Sequence, residues 1–441
     1  MNVVPLELRR PSPDVTRSVP RPGWHKWWAL GILIVVGVYN YIDRLSVFIL
    51  QVQIKTDLGL SDTELGALNG VAFSLLYSML SLPIARLADA GNRRRIIVVS
   101  LIVWSGMTTL CGFAGGFVTL LILRMGVAVG EAGSLPPSHA LIADYFPRNQ
   151  RTTALALWSL SIPLGQGLGF GLSGWLGSAF DWRTAFFVLG AAGFVLAPLA
   201  LFGLKEPERG ATDGGTFVAQ GVPPFRESLR ILWGYRALRH IVWGGSLNAY
   251  VLYTFINWNA PFYNRVFGFS MGELAGRLAL VTGIGSGLGM LFGGVLAERL
   301  GRGDARWRMR VPLFGALATV PLMLFQYLGA SAPASLVLGV ASFAAASAYY
   351  PSMVACIQSL APPNLRALAA AVMVLTVNIV GLGFGPLFVG IISDYLIAHF
   401  GMVTDSLRYA ISASAVFALW AAFHFHCAIR DLPRELARAA V

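Results

Sequence analysis

Long apolar runs recur along this chain from near its beginning to near its end, and such runs leave few folding choices. In hydrocarbon, backbone N–H and C=O groups must be satisfied within the segment or in a closed barrel, so an apolar run of about 20 residues becomes a helix. Twelve segments can be drawn, at residues 27–50, 65–84, 96–115, 117–140, 152–177, 184–204, 241–263, 274–297, 311–329, 333–359, 367–393 and 407–429. Only 12% of residues are charged, against about 25% in soluble proteins. The expected fold class is an all-α membrane protein with twelve transmembrane helices.

The polar stretches divide these segments six and six. Residues 1–26, rich in Pro and Arg, have no short apolar core with a cleavage site and are expected to be a cytoplasmic tail. Two six-helix bundles, 27–204 and 241–429, flank a linker at 205–240, and 430–441 form a C-terminal tail. The linker ends in a basic amphipathic piece, Phe225 to Arg239, suited to lie on the membrane with its arginines toward anionic lipid. With both termini cytoplasmic, 26 Lys and Arg fall inside and 5 outside, leaving Arg44 and Arg124 within the spans. That asymmetry sets the orientation by the positive-inside rule, and a plasma or inner membrane is expected.

The net charge of +12 does not indicate nucleic acid, because the basic residues sit between spans and no basic face with interleaved aromatics appears. Cys111, Cys356 and Cys427 are too scattered for a disulfide framework or metal site. His139, His240, His424 and His426 form no metal spacing, and Gly283-Ile284-Gly285-Ser286-Gly287 lacks a P-loop lysine. No metal, cofactor or nucleic-acid partner is expected. Nor is there a nucleophile–base set of the kind an intramembrane lipid enzyme needs.

Four charged residues lie deep in spans: Asp43 and Arg44 in the first, Arg124 and Glu131 in the fourth. Each costs roughly 2.5–3.5 kcal/mol or more near a helix centre, so such groups face a polar cavity and mark a functional site by default. Asp43 and Arg44 point about 100° apart and are poor mates for each other. From axial depth, Arg124 is the better-placed partner for Asp43. Asp43 is expected to be the main proton site and Glu131 an auxiliary one, with Arg44 and Arg124 alternately holding a carboxylate or an anionic head group. The bland alternative is that the four only neutralise one another and pin the first span to the fourth. Tyr41 and the polar residues of the seventh span, Asn248, Tyr250, Tyr253, Asn257 and Trp258, are candidates to line a substrate path. Pro136, Pro137, Pro163, Pro351 and Pro386 should kink their helices. The glycines at 165, 167, 169 and 171 and at 381, 383 and 385 allow close helix approach.

The halves echo each other. Ala85-Arg86-Leu87-Ala88-Asp89-Ala90-Gly91-Asn92-Arg93-Arg94 follows the second span and Gly294-Val295-Leu296-Ala297-Glu298-Arg299-Leu300-Gly301-Arg302 the eighth, 209 residues on. Parallel repeats around a midplane site are a transporter architecture. The second copy resembles the signature loop of the major facilitator superfamily with Glu298 in the Asp position; the first departs from it at Ala85 and Ala90. Arg124 with Gly130-Glu131 resembles that superfamily's fourth-helix motif. Asn40-Tyr41-Ile42-Asp43-Arg44, with Arg366-Ala367-Leu368-Ala369 and Gly381-Leu382-Gly383-Phe384-Gly385-Pro386, resembles the spinster family within it. The resemblance implies the major facilitator fold, gating roles for Asp89, Arg93, Arg94, Glu298, Arg299 and Arg302, and proton-linked export of lysolipids or sphingolipids. The expectation is therefore a monomeric, proton-coupled secondary transporter exporting a small amphipathic substrate. A multidrug/proton antiporter or organic-anion transporter is the alternative, and a lipid enzyme or sensor a more distant one.

Overall fold

The computed structural model describes residues 23–207, 224–362 and 365–439, which are almost entirely helical with no strand among them. The first bundle contains helix 1 (Trp24–Leu58), helix 2 (Asp62–Asn69 and Val71–Ala90), helix 3 (Arg93–Cys111), helix 4 (Phe117–Glu131 and Leu135–Tyr145), helix 5 (Arg148–Ser159 and Ser161–Ala179) and helix 6 (Trp182–Gly203). A linker helix, Phe225–Gly234, precedes the second bundle. That bundle holds helix 7 (Arg236–Phe267), helix 8 (Met271–Gly301), helix 9 (Trp307–Leu324), helix 10 (Ala332–Ser347 and Tyr349–Leu360), helix 11 (Arg366–Thr376, a π stretch Val377–Phe384, and Gly385–Phe400) and helix 12 (Ser406–Ala413 and Ala415–Ala439). Eleven of the twelve are long and apolar enough to cross a membrane. Helix 7 has the length but carries many polar residues, among which Ser246, Asn248, Tyr250, Thr254, Asn257 and Asn259 are buried.

The solvent logic is inverted. Phe113, Val195 and Phe202 are more than 70% exposed on the outside, while Asn40, Gln51, Asn69, Asn248 and Asn257 are buried within. Lipid, not water, is the matching environment for such a surface. Trp24, Trp27 and Trp28 crowd the start of helix 1 and stay exposed, as interfacial aromatics do.

Proline accounts for three of the helix breaks, though not for those at Gly70 and Ser414, and Pro83, Pro198 and Pro261 sit in unbroken helices. A ring at position i clashes with the carbonyl of i−4 and removes an amide donor. Helix 4 interrupts at 132–134 ahead of Pro136 and Pro137, helix 5 at Leu160 ahead of Pro163, and helix 10 at Ala348 ahead of Pro351. The π stretch of helix 11 ends just before Pro386. Two boundaries differ from the sequence expectation. The amphipathic piece ends at Gly234, where Tyr235 turns extended, so Arg236 to Arg239 open helix 7 instead. At the other end, helix 12 continues to Ala439, making the described part of the C-terminal tail helical. The expected N-terminal tail up to residue 22, and linker residues 208–223, lie outside the described residues.

The repeat is visible in the packing. Within the bundles, helices 1 and 5 pair as 7 and 11 do, and helices 3 and 6 as 9 and 12 do. Between them, helix 2 meets helix 11 while helix 8 meets helix 5, each seam the counterpart of the other. Glycine sets these distances. A Cβ at Gly165 would collide with Tyr41 Cβ and stand 2.8 Å from the Val38 carbonyl oxygen; at Gly70 it would stand 2.5 Å from the Gly383 carbonyl oxygen. Gly165→Val is thus expected to cost about 1–3 kcal/mol by overpacking against backbone and to lower the midpoint of thermal unfolding in detergent. An unchanged midpoint would mean that helices 1 and 5 separate freely.

Candidate functional site

Helix 1 turns Asn40, Asp43 and Arg44 all inward, each at most 8% exposed. Arg44 reaches to helix 4, where Nε and Nη2 donate to the same Glu131 oxygen, Oε2, at 2.9 and 2.7 Å. Glu131 is the last residue of the first segment of helix 4, so its carboxylate sits where the helix breaks. The Arg44 guanidinium also lies 4.7 Å from the ring centroid of Tyr77, 5.0 Å from Phe73 and 5.6 Å from Tyr41. Rings at such distances attract a cation through their quadrupoles, more strongly where water is excluded.

The pairing inferred from depth needs correction. Asp43 takes a hydrogen bond from Thr108 Oγ1 at 2.9 Å, its other oxygen having no partner among the described residues. Arg124 lies beyond ion-pair reach of it. One Arg124 nitrogen donates to the Arg44 carbonyl at 3.4 Å, while Nε and Nη1 are buried without a described partner. The reason is side-chain length: an arginine reaches well over a helical turn along the axis, so Cα depth does not choose its mate.

A cavity of about 130 Å³ lies between the bundles. Tyr41, Arg44, Tyr77 and Gln166 line it from the first bundle, and Tyr253, Tyr349, Tyr350 and Asn378 from the second. Leu135, Met290, Met373 and Val374 make its wall apolar. Arg44 is therefore the charged group on the wall, with Glu131 one layer behind it. Asp43 and Arg124 lie off the wall. Of the helix 7 candidates only Tyr253 faces the cavity. Asn248 donates to the Ala346 carbonyl at 2.6 Å, Trp258 to the Pro386 carbonyl at 3.1 Å, and Tyr250 stacks on Phe417 at 3.9 Å. These are ties within the second bundle, the common use of polar groups in spans. Gln166 and Asn378 were missed, although each is a lone amide in a glycine-rich span. Gln166 accepts from Ser286 Oγ at 2.7 Å across the bundle seam.

At the end of the molecule away from the linker, a polar cluster that sequence reasoning also missed ties the bundles together. Asp62 of helix 2 is fully buried; Arg265 of helix 7 grips both of its oxygens at 2.7 and 2.8 Å, and Ser393 of helix 11 donates at 2.6 Å. Lys55 pairs with it as well. Asp394 accepts from the backbone N–H groups of Asp62 and Thr63 and from the Thr63 hydroxyl. A carboxylate of one bundle thereby caps a helix of the other. Below it, Asn69 donates to Gln51 at 2.8 Å and to Asn257 at 3.0 Å, and Gln51 donates to the Asn257 carbonyl. This accounts for Asn257. The cavity lies on the linker side of this closure.

The two signature loops behave differently. Arg93 pairs with Asp144 at the end of helix 4 and, at 2.6 Å, with Glu206 after helix 6, whose other oxygen accepts from the Arg94 backbone N–H. The Asp89 side chain lies outside the described residues. Glu298 and Arg302 pair at 3.1 Å on an exposed surface beside Arg299.

The Major Facilitator Superfamily profile matches residues 32–386. An "MFS-type efflux pump" of Mycolicibacterium smegmatis is 34% identical over 383 residues, 85% of this chain and 86% of that protein. "Protein spinster homolog 1" of Xenopus laevis is 26% identical, across 87% of this chain and 77% of that one. Among solved structures, a bacterial homologue of the human lysosomal transporter Spinster, inward-facing and unoccupied, superposes with a TM-score of 0.85 at 27% identity over 95% of this chain and 99% of its own. The helical fold, the spinster resemblance and the transporter relatives agree, and they are not those of an enzyme. With twelve helices in two repeated bundles, this chain belongs to the major facilitator superfamily.

Proposed function

We propose that the chain is a proton-coupled secondary transporter that moves a lysolipid- or sphingolipid-like amphipath by alternating access. One arrangement supports this most: Arg44 stands on the wall of an aromatic, apolar cavity with its counter-ion, Glu131, buried behind it. An anionic head group entering the cavity competes with Glu131 for the guanidinium. Left alone without solvent, that carboxylate takes a proton, since a buried unpaired charge costs several kcal/mol. Substrate and proton then favour each other's binding, and linkage makes the effect reciprocal. They leave the more acidic compartment together; at a plasma or inner membrane, whose outer side is the acidic one, this coupling drives the substrate inward rather than in the export direction that the resemblance implies. Glu131 exchanges partners directly. Asp43, expected from the sequence as the main proton site, lies off the cavity wall, hydrogen-bonded to Thr108, and is taken as the second proton site in this reading, and Arg124 stabilises whichever carboxylate is ionised. The cavity has room for a head group, with the tail running along Leu135, Met290, Met373 and Val374.

The 26-to-5 asymmetry of basic residues supports a cytoplasmic linker end, and with that orientation the closed far end supports reading this as an inward-facing form. The loops carrying Asp89, Arg93, Arg94, Glu298, Arg299 and Arg302 would close the linker side when the bundles rock.

The second reading is a multidrug/proton antiporter, favoured by the relative described as an efflux pump. A cationic substrate would compete with the proton for Glu131 or Asp43 and so exchange with it. Proteoliposomes with an imposed pH gradient, tracer lysophospholipid and an internal pH dye distinguish the two. Lysolipid moving with protons supports the proposal. An organic cation moving against them selects the antiporter, and solute movement indifferent to the gradient overturns proton coupling.

A further inference from the structure

The linker helix, the start of helix 7 and the cytoplasmic half of helix 12 enclose an open cleft of about 670 Å³, remote from the cavity described above. Arg236, Arg239 and Arg430 line it, with His240 and His424 at its base. None of the three arginine side chains has an ion-pair partner among the described residues, and Asp431 is the acid on the wall. The two imidazoles come from different helices, 184 residues apart in the chain, and meet Nδ1 to Nδ1 at 2.9 Å. Three guanidinium groups against two carboxylates, Asp431 on the wall and Glu435 beside it, still leave an excess of positive charge in a concave site. Helix 7 is anchored there from the opposite chain end: Glu435 accepts from the backbone N–H groups of Arg236 and Ala237 at 2.7 and 2.9 Å.

What lies above the cleft indicates the source of the matching anion. Trp243, one turn beyond Arg239, is 42% exposed; Trp420 and Phe423, just before His424, are 51% and 57% exposed. These rings face outward on spanning helices, where acyl chains lie, and Trp420 and Phe423 both pack against His424. The surface thus passes from apolar aromatic to cationic within about one helical turn on helix 7 and about two to three turns on helix 12, as the interface of a leaflet does. A free phosphate would use the arginines and leave the aromatic rim without purpose.

We propose that this cleft binds an anionic phospholipid, its phosphate held by Arg236, Arg239 and Arg430 and its chains lying against Trp243, Trp420 and Phe423. The lipid would bridge the linker helix, through Trp233, to helices 7 and 12. It is a site apart from transport: the bound lipid is a structural ligand, not cargo. Basic pockets between spanning helices on the cytoplasmic side bind such head groups.

The test is native mass spectrometry and thermal unfolding of the full chain in detergent, titrated with phosphatidylglycerol, phosphatidylcholine or inorganic phosphate. Phosphatidylglycerol should be retained and raise the midpoint, and phosphatidylcholine should do neither. Each arginine near an anionic surface is worth roughly fivefold in affinity, so the triple variant R236Q/R239Q/R430Q should bind on the order of a hundredfold more weakly. The triple Arg→Lys variant keeps the charge and should retain most of the binding, which separates lost recognition from lost folding. Equal binding of phosphatidylcholine, or an unaltered titration in the triple Gln variant, overturns the site. Stabilisation by phosphate alone equal to that by the lipid overturns the lipid as occupant.

Discussion

Glu131→Gln protein in proteoliposomes is expected to exchange substrate at equal pH, within about tenfold of the wild-type rate, yet fail to accumulate it when a pH gradient is imposed. The substitution keeps the shape and leaves an amide oxygen for Arg44 Nε and Nη2, which now donate to Oε2 at 2.9 and 2.7 Å. It removes the one thing an amide cannot supply, an exchangeable proton that follows the loss of its partner. Arg44→Gln should instead lose both exchange and accumulation. It deletes the cavity's charged donor and strands a fully buried carboxylate, a truncation that typically costs 2–5 kcal/mol, or roughly 30- to several-thousand-fold in affinity. Arg44→Lys should rescue little, because Nε and Nη2 together grip Glu131 amid the rings of Tyr77, Phe73 and Tyr41, which uses the guanidinium fork and not only its charge. Asp43→Asn separates the second site: normal accumulation would remove Asp43 from the proton path and leave Glu131 alone. Normal gradient-driven accumulation by Glu131→Gln would end the coupling proposal altogether.

The span count and three of the breaks were legible because both follow from the backbone. Hydrocarbon leaves an apolar run no state but a helix, and Pro136, Pro163 and Pro351 each follow a fault a few residues earlier, whereas the breaks at Gly70 and Ser414 carry no such mark. Close helix approach was legible from glycine runs at 165–171 and 381–385, but not which helices would approach: Gly167 and Gly383 face the other bundle, whereas Gly165 and Gly381 face helices of their own bundle. Partner choice was not. Arg44 and Glu131 are 87 residues apart, and rotation about the helix axis with side-chain reach, not depth, brought them together. In helix 7 the same polar residue types serve three ends, cavity wall (Tyr253), intrabundle tie (Asn248) and interbundle clamp (Asn257), and no local signal separates these. The far-end cluster was invisible for another reason. Lys55, Asp62 and Arg265 lie at span edges, where charges are ordinary, and only the closed fold reveals a carboxylate with no exposed surface.

That cluster gives the second large effect: Asp62→Asn should open the far end. In the closed form Asp62 holds Arg265 and Lys55 and accepts from Ser393, joining helices 1 and 2 to helices 7 and 11. Removing one partner of a buried charged network costs about 3–5 kcal/mol. The cost falls on the closed state alone, because Lys55 and Arg265 reach water once the bundles part. A shift of about 5.5 kcal/mol carries a two-state equilibrium from 1:99 to 99:1, so this loss suffices to make a rare open form comparable to the closed one or dominant over it. Spin labels at Thr56 on helix 1 and Val403 beyond helix 11, both exposed and both beside the far-end cleft, report the gap, with Cys427 replaced by Ser. Double electron–electron resonance should show a longer-distance population in Asp62→Asn and in Arg265→Gln, with slower transport in both, since alternating access needs the closed state as much as the open one. If the distance distribution stays put while the unfolding midpoint falls, Asp62 supports the fold only and the gate lies elsewhere.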